Sequence, residues 1–221
     1  MKKAKILVVL LVISLFIIVY ITSFRASLFN EKLHKKEFLK NNVYDVFPKA
    51  DEINSEVLSY LRKDIDKISF DIFNEKEVNH LKDVKGVVQK GVITYYVVLI
   101  VFIVLIIGLY FIDKNKFLEN IKHIFLFSGM SIILVNLLLL VWILFDFNSL
   151  FNLFHSLFFI EGSWIFKSSD NIVRLYPYGF FYDIGKKIFT GIFVYGIILI
   201  IVGFFSIDKI KFIAKYLKNK I

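Results

Sequence analysis

The sequence predicts an all-α integral membrane protein: four transmembrane helices, a helical extracytoplasmic loop and a short interfacial second loop. Three observations carry that expectation. Hydrophobic residues make up 57% of the 221 residues, against roughly 45–50% in soluble domains. The excess is gathered into four blocks without formal charge, at about 6–24, 92–112, 124–145 and 188–207. Each block is close to the ~20 residues that a helix needs to cross ~30 Å of hydrocarbon. The Lys and Arg residues are sorted between the loops as they are in membrane proteins whose short basic loops stay in the cytoplasm.

The first block follows Met1-Lys2-Lys3-Ala4-Lys5, which has the look of a signal-peptide leader. Its length and the lack of an Ala-x-Ala-like site after it instead predict an uncleaved span. The segment 25–91 then carries 13 basic and 12 acidic residues, a near-neutral long loop that can be translocated whatever its charge. Within it, Ile53, Val57, Leu58 and Leu61 fall on one helical face. Asn74 with Glu77 three positions on reads as a capping box opening a helix of about 75–89, with Val78, Leu81, Val84 and Val88 as its apolar stripe.

After the second span, the turn at 113–123 holds Lys114, Lys116, Lys122 and His123, and the C-terminal tail holds Lys209, Lys211, Lys215, Lys218 and Lys220. With four spans these basic segments share one side with the N-terminus, so both ends are expected in the cytoplasm. The formal charge of +9 is then inner-leaflet anchoring on anionic headgroups, and no nucleic-acid partner is expected. The segment 146–187 is too apolar for a solvated loop, with eight phenylalanines and Trp164, Tyr176, Tyr178 and Tyr182. It is expected in the outer interface, aromatic rings at headgroup depth.

The absence of Cys excludes a thiol nucleophile, a disulfide framework and thiolate metal sites. No His-Glu-x-x-His, P-loop or Gly-x-Ser-x-Gly occurs, and Glu77-x-x-His80 is half of a dimetal motif without its second copy. No metal or cofactor is expected. Of the four histidines, His123 falls on the cytoplasmic turn, and His34, His80 and His155 fall outside. His80 has Glu77 and Asp83 one helical turn to either side, and a carboxylate there can orient an imidazole. His155 lies in the apolar run Phe154-His155-Ser156-Leu157-Phe158-Phe159, where an ionisable group at membrane depth is costly. Ser156 and Ser163 leave a Ser–His pair open.

The stretch Phe73-Asn74-Glu75-Lys76-Glu77-Val78-Asn79-His80-Leu81-Lys82-Asp83-Val84-Lys85 resembles the first signature of the bacterial lipoprotein intramolecular transacylase (Lit) family. Phe154-His155-Ser156-Leu157-Phe158-Phe159, Gly162-Ser163-Trp164, Leu175-Tyr176-Pro177 and Phe180-Phe181-Tyr182-Asp183 resemble the second. Leu81 departs from the pattern where Met is more usual, and the charges around Lys167 and Asp170-Asn171 are a second departure. The resemblance implies transfer of the sn-2 acyl chain of a diacylglyceryl-Cys lipoprotein to the Cys α-amine, giving a lyso-form product. It implies His80 and His155 as catalytic residues, Asp83 as an orienter, and Asn152, Trp164, Arg174 and Tyr176 as orienting or substrate-binding residues. The expected partners are such lipoproteins and membrane lipid, with the protein acting as a monomer in the bacterial cytoplasmic membrane and its site at the outer leaflet. A sensory or binding protein that uses the ectoloop, and an intermolecular acyltransferase or lipase, are the competing readings. A transporter is disfavoured by the uncharged spans.

Overall fold

The structure, a computed structural model, describes residues 2–69 and 71–218, with side chains up to Phe205. The tail lysines expected on the cytoplasmic side lie outside the described side chains. Eight α-helices are described: α1 (Lys2–Leu28), α2 (Glu31–Lys40), α3 (Ala50–Arg62), α4 (Glu75–Ile112), α5 (Phe117–Phe145), α6 (Phe147–Phe158), α7 (Asn171–Leu175) and α8 (Tyr178–Lys218). No strand occurs among the described residues. The helices long and apolar enough to cross a membrane are α1, α4, α5 and α8, which contain the four expected blocks.

The predicted helix at 75–89 and the span at 92–112 are one continuous helix, α4. Gly91 does not break it, since a single glycine costs only about 1 kcal/mol in a helix and no proline intervenes. The stripe on its first turns is also shifted. Val78 is exposed while Glu77, His80, Leu81 and Val88 are buried, because Glu77 turns inward to satisfy backbone donors.

The chain forms two compact units, one from 1–23, 94–139 and 189–221 and the other from 24–93 and 140–188. In the first, Ala4, Leu11, Leu109 and Ile124 make a buried cluster. Its α5 and α8 approach closely at glycines: a Cβ on Gly129 would stand 2.7 Å from the carbonyl oxygen of Gly196. Small residues at such a crossing let backbones pack where no hydrophobic force drives helices together. The Asn136 amide donates to the Phe189 carbonyl at 2.8 Å, a polar tie of the kind found inside bilayers.

The second unit is built on Phe38, Ala50, Ile53, Val57, Leu58, Leu61, Leu81, Leu175 and Phe180. The predicted face of α3 is buried throughout. Inside this core Asn54 gathers two groups: its Oδ1 accepts the Tyr176 hydroxyl at 3.0 Å and lies 3.0 Å from Nδ1 of His34. His34 and Asn54 are both almost wholly buried, and a satisfied polar network of this kind fixes the register of the elements it joins.

Candidate active site

The site is assembled in the second unit from the first turns of α4, from α6 and from the loop that follows α6. The capping box at the start of α4 forms as expected: Glu77 N–H donates to Asn74 Oδ1 at 3.0 Å, and Asn74 N–H donates to Glu77 Oε2 at 2.7 Å. Glu77 has a second task that no local pattern announces. Its other oxygen accepts the Ile172 N–H of α7 at 2.7 Å. Two further bonds run the same way, from Asn171 Nδ2 to the Ile72 carbonyl at 2.6 Å and from Lys76 Nζ to the Ile165 carbonyl at 2.6 Å. Together they pin the 159–172 segment onto the turn of α4 that carries His80.

The α6 helix opens on Asp146, whose Oδ1 accepts the Ser149 N–H at 3.0 Å. His155 lies in its last turn, and its Nδ1 stands 2.8 Å from the Phe151 carbonyl. A carbonyl only accepts, so Nδ1 carries the proton and the neutral ring presents Nε2 as a base. The ring packs against Phe151 at 4.0 Å and Trp164 at 4.8 Å between centroids, both tilted. The ring of His80 lies 6.3 Å from that of His155 and nearly parallel to it, with Phe159 at 5.0 Å and Phe166 at 5.3 Å. Two histidines about 75 residues apart in sequence are thus brought together in one aromatic enclosure.

Burial sets the protonation of both. It lowers His80 to about 4; the neighbouring His155 and Lys76 push the same way, against Asp83. Burial also lowers His155, opposed by its bond to the Phe151 carbonyl. Both rings are therefore held neutral at ordinary pH. A cavity of about 350 Å³ opens beside His80, lined by Glu75, Lys76, Asn79, His80, Asp83 and Ser163, at the small end of the range for ligand sites.

The other expected site residues part company. Trp164 packs against His155 at a tilt of 37°. Asp83 lines the cavity but is exposed, and Nδ1 of His80 has no hydrogen-bond partner among the described residues, so Asp83 acts on that nitrogen only through its charge. Tyr176 donates to Asn54, and burial pushes its phenol up. Arg174 bonds Asn171 Oδ1 at 3.2 Å and lies over the Phe47 ring. Asn152 is exposed on α6. Ser156 spends its hydroxyl on the Leu153 carbonyl at 2.9 Å, and Ser163 lines the cavity with its hydroxyl oxygen buried. The sequence reading passed over Lys76 and the second bond of Glu77, because a contact across about 90 residues leaves no periodic trace.

The family model for the lipoprotein intramolecular transacylase Lit matches residues 5–181. The chain belongs to the Lit family. An uncharacterised protein of Aquifex aeolicus is 29% identical over 150 residues, which are 67% of this chain and 61% of that relative, so the match spans under two thirds of the relative's length. Among solved structures, the membrane integral lipoprotein intramolecular transacylase Lit from Bacillus cereus superposes with a TM-score of 0.82 at 19% identity, covering 96% of this chain and 99% of the other. A histidine variant of that Lit gives a TM-score of 0.75, also at 19% identity, covering 96% of this chain and 95% of the other. At that identity the likeness speaks to the fold, which is that of a Lit protein with four apolar helices.

Proposed function

We propose that this Lit-family protein transfers the sn-2 acyl chain of a diacylglyceryl-Cys lipoprotein to the α-amine of the same Cys. The observation that carries the reading is the facing pair of neutral histidines, His80 and His155, at 6.3 Å between centroids in an aromatic enclosure beside a cavity. An intramolecular O-to-N transfer needs no enzyme nucleophile, because the substrate holds both amine and ester. What it needs is proximity and proton traffic. The α-ammonium, with a pKa of roughly 8 in water, is discharged more readily in an apolar site.

In this mechanism His155 Nε2 takes the amine proton as the N–C bond forms. The resulting imidazolium is favoured over one on His80: the Phe151 carbonyl already accepts its Nδ1–H, and the Trp164 and Phe151 rings offer π faces to a cation. His80, held neutral, polarises the glyceryl ester by donating a hydrogen bond. The proton then passes to the departing glyceryl oxygen, so the transfer from the neutral amine is proton-balanced, the proton lost in discharging the ammonium having gone to solvent. The aromatic rings packed around the two histidines limit the water that reaches them and would otherwise hydrolyse the ester. The exposed apolar residues on and after α6, with Leu157 at 69% and Ile160 at 79%, support immersion of this helix in the outer leaflet. The basic short segments support an N-in, C-in topology. A single chain supplies both histidines, so the reaction runs in a monomer.

The test is expression with a diacylated reporter lipoprotein in a host unable to N-acylate, followed by mass spectrometry of the N-terminal lipopeptide. Unchanged total mass with one acyl chain base-stable is the expected product. His155→Asn and His80→Asn should each lower its rate by about 10²–10⁴-fold. Loss of one acyl mass would mean a hydrolase, and a product bearing another lipid's acyl chain an intermolecular enzyme.

A further inference from the structure

We propose that the indole N–H of Trp164 and the hydroxyl of Ser163 form the oxyanion hole of the transfer, an assignment that rests on the reaction proposed above. Both Trp164 Nε1 and Ser163 Oγ are buried, and neither has a hydrogen-bond partner among the described residues. An indole N–H can only donate, and a buried one normally finds an acceptor. Two adjacent orphan donors are a costly arrangement in a resting protein. They are well placed if an acceptor arrives only during the reaction.

Their location agrees. Ser163 lines the cavity beside His80, and the Trp164 ring lies 4.8 Å from the ring of His155. One donor thus lies on the cavity that His80 lines and the other on the residue packed against His155. They sit on one turn, held by the bond from Ser163 N–H to the Ile160 carbonyl at 3.0 Å and by Gly162 at φ +81°, a conformation that residues with a Cβ rarely adopt. Of the other donors singled out in the sequence, Tyr176 gives its hydroxyl proton to Asn54 and Arg174 bonds Asn171. Asn152 is exposed.

In the step itself the amine nitrogen lone pair attacks the sn-2 carbonyl carbon and the N–C bond forms. The carbonyl π pair moves onto oxygen, which accepts hydrogen bonds from Trp164 Nε1–H and Ser163 Oγ–H. When the carbonyl re-forms, the bond from carbon to the glyceryl oxygen breaks. Its electron pair leaves with that oxygen, which takes the proton carried by His155.

The experiment compares wild type, Trp164→Phe and Ser163→Ala in liposomes containing a diacylglyceryl lipopeptide. It measures kcat and KM, and binding of two inert lipopeptides: one with an sn-2 ether, one with a tetrahedral sn-2 phosphonate. Phenylalanine keeps a ring at the position beside His155 while removing the donor, and the ether control reads the effect of the lost indole volume. Each substitution is expected to lower kcat by about 10²-fold or more at unchanged KM. Phosphonate affinity should fall in parallel while ether affinity holds. Unchanged kcat in both variants would overturn the assignment, as would an equal loss of ether and phosphonate binding, the mark of packing alone. A wild type that makes no amide-linked product would instead sink the transfer reading. If Trp164→Phe does not fold, Ser163→Ala against Ser163→Thr carries the test: the threonine hydroxyl must recover the kcat that alanine loses, and no recovery counts against the hole.

Discussion

Glu77 is the residue whose loss should most disturb the site without touching either histidine. Its side chain is 0% exposed, and its two carboxylate oxygens accept backbone N–H groups from Asn74 and Ile172, each at 2.7 Å. Glu77→Ala would leave the Ile172 amide buried without an acceptor and the part-buried Asn74 amide without its cap. Hydrogen bonds to charged groups contribute about 1.5–3 kcal/mol each, so the loss is about 3–6 kcal/mol locally. Glu77→Gln keeps one acceptor but turns an NH2 group toward the other donor, and should cost about half as much. The assay is amide hydrogen exchange in detergent, read on peptides that cover 72–76 and 171–175. A local loss of 3–6 kcal/mol corresponds to about 10²–10⁴-fold faster exchange at Ile172. Activity should fall with it, because α7 anchors the loop that sets Trp164 against His155. Native exchange at Ile172 in Glu77→Ala would refute the reasoning, since the tether would then contribute nothing.

Other measurements test separate links. His80 is held at about 4 against about 6.5 in an unfolded chain, so between those values the unfolded state binds more protons. The associated stability, up to about 3 kcal/mol, is full above pH 6.5 and is lost as pH falls towards 4; thermal unfolding across that window should be visibly flatter in His80→Asn. Asn54→Ala would strand the Tyr176 hydroxyl and Nδ1 of His34 in the core, at about 1–3 kcal/mol for each group. The loss should be less than additive with Tyr176→Phe in a double-mutant cycle of melting temperatures. Gly129→Ala brings a Cβ to 2.7 Å from both the Gly196 carbonyl oxygen and Ile200 Cγ1. Separating α5 from α8 there should cost about 1–3 kcal/mol, whereas Gly108→Ala, with nothing within 4 Å, should raise the melting temperature slightly, by removing a helix-interior glycine that costs about 1 kcal/mol.

The sequence by itself determined the four apolar helices, because ~20 uncharged residues in a row admit one solution in a bilayer that leaves no backbone group unpaired. It also determined the α3 face and the Asn74–Glu77 box, since a period near 3.6 and a three-residue spacing are local properties. Both candidate histidines were legible, one from its acidic neighbours and the other from its cost in an apolar run. Tertiary structure alone decided that the two rings lie side by side, that Val78 points out so that Glu77 can point in, and that Tyr176 bonds Asn54 and Arg174 bonds Asn171. Those outcomes turn on which buried donor meets which acceptor across about 90 to 120 residues. A hydrogen bond of 2.7 Å is fixed by packing in three dimensions, and composition and period carry no record of it. The same holds for Trp164 and Ser163, whose lack of a partner can be seen only once every neighbour has taken its place.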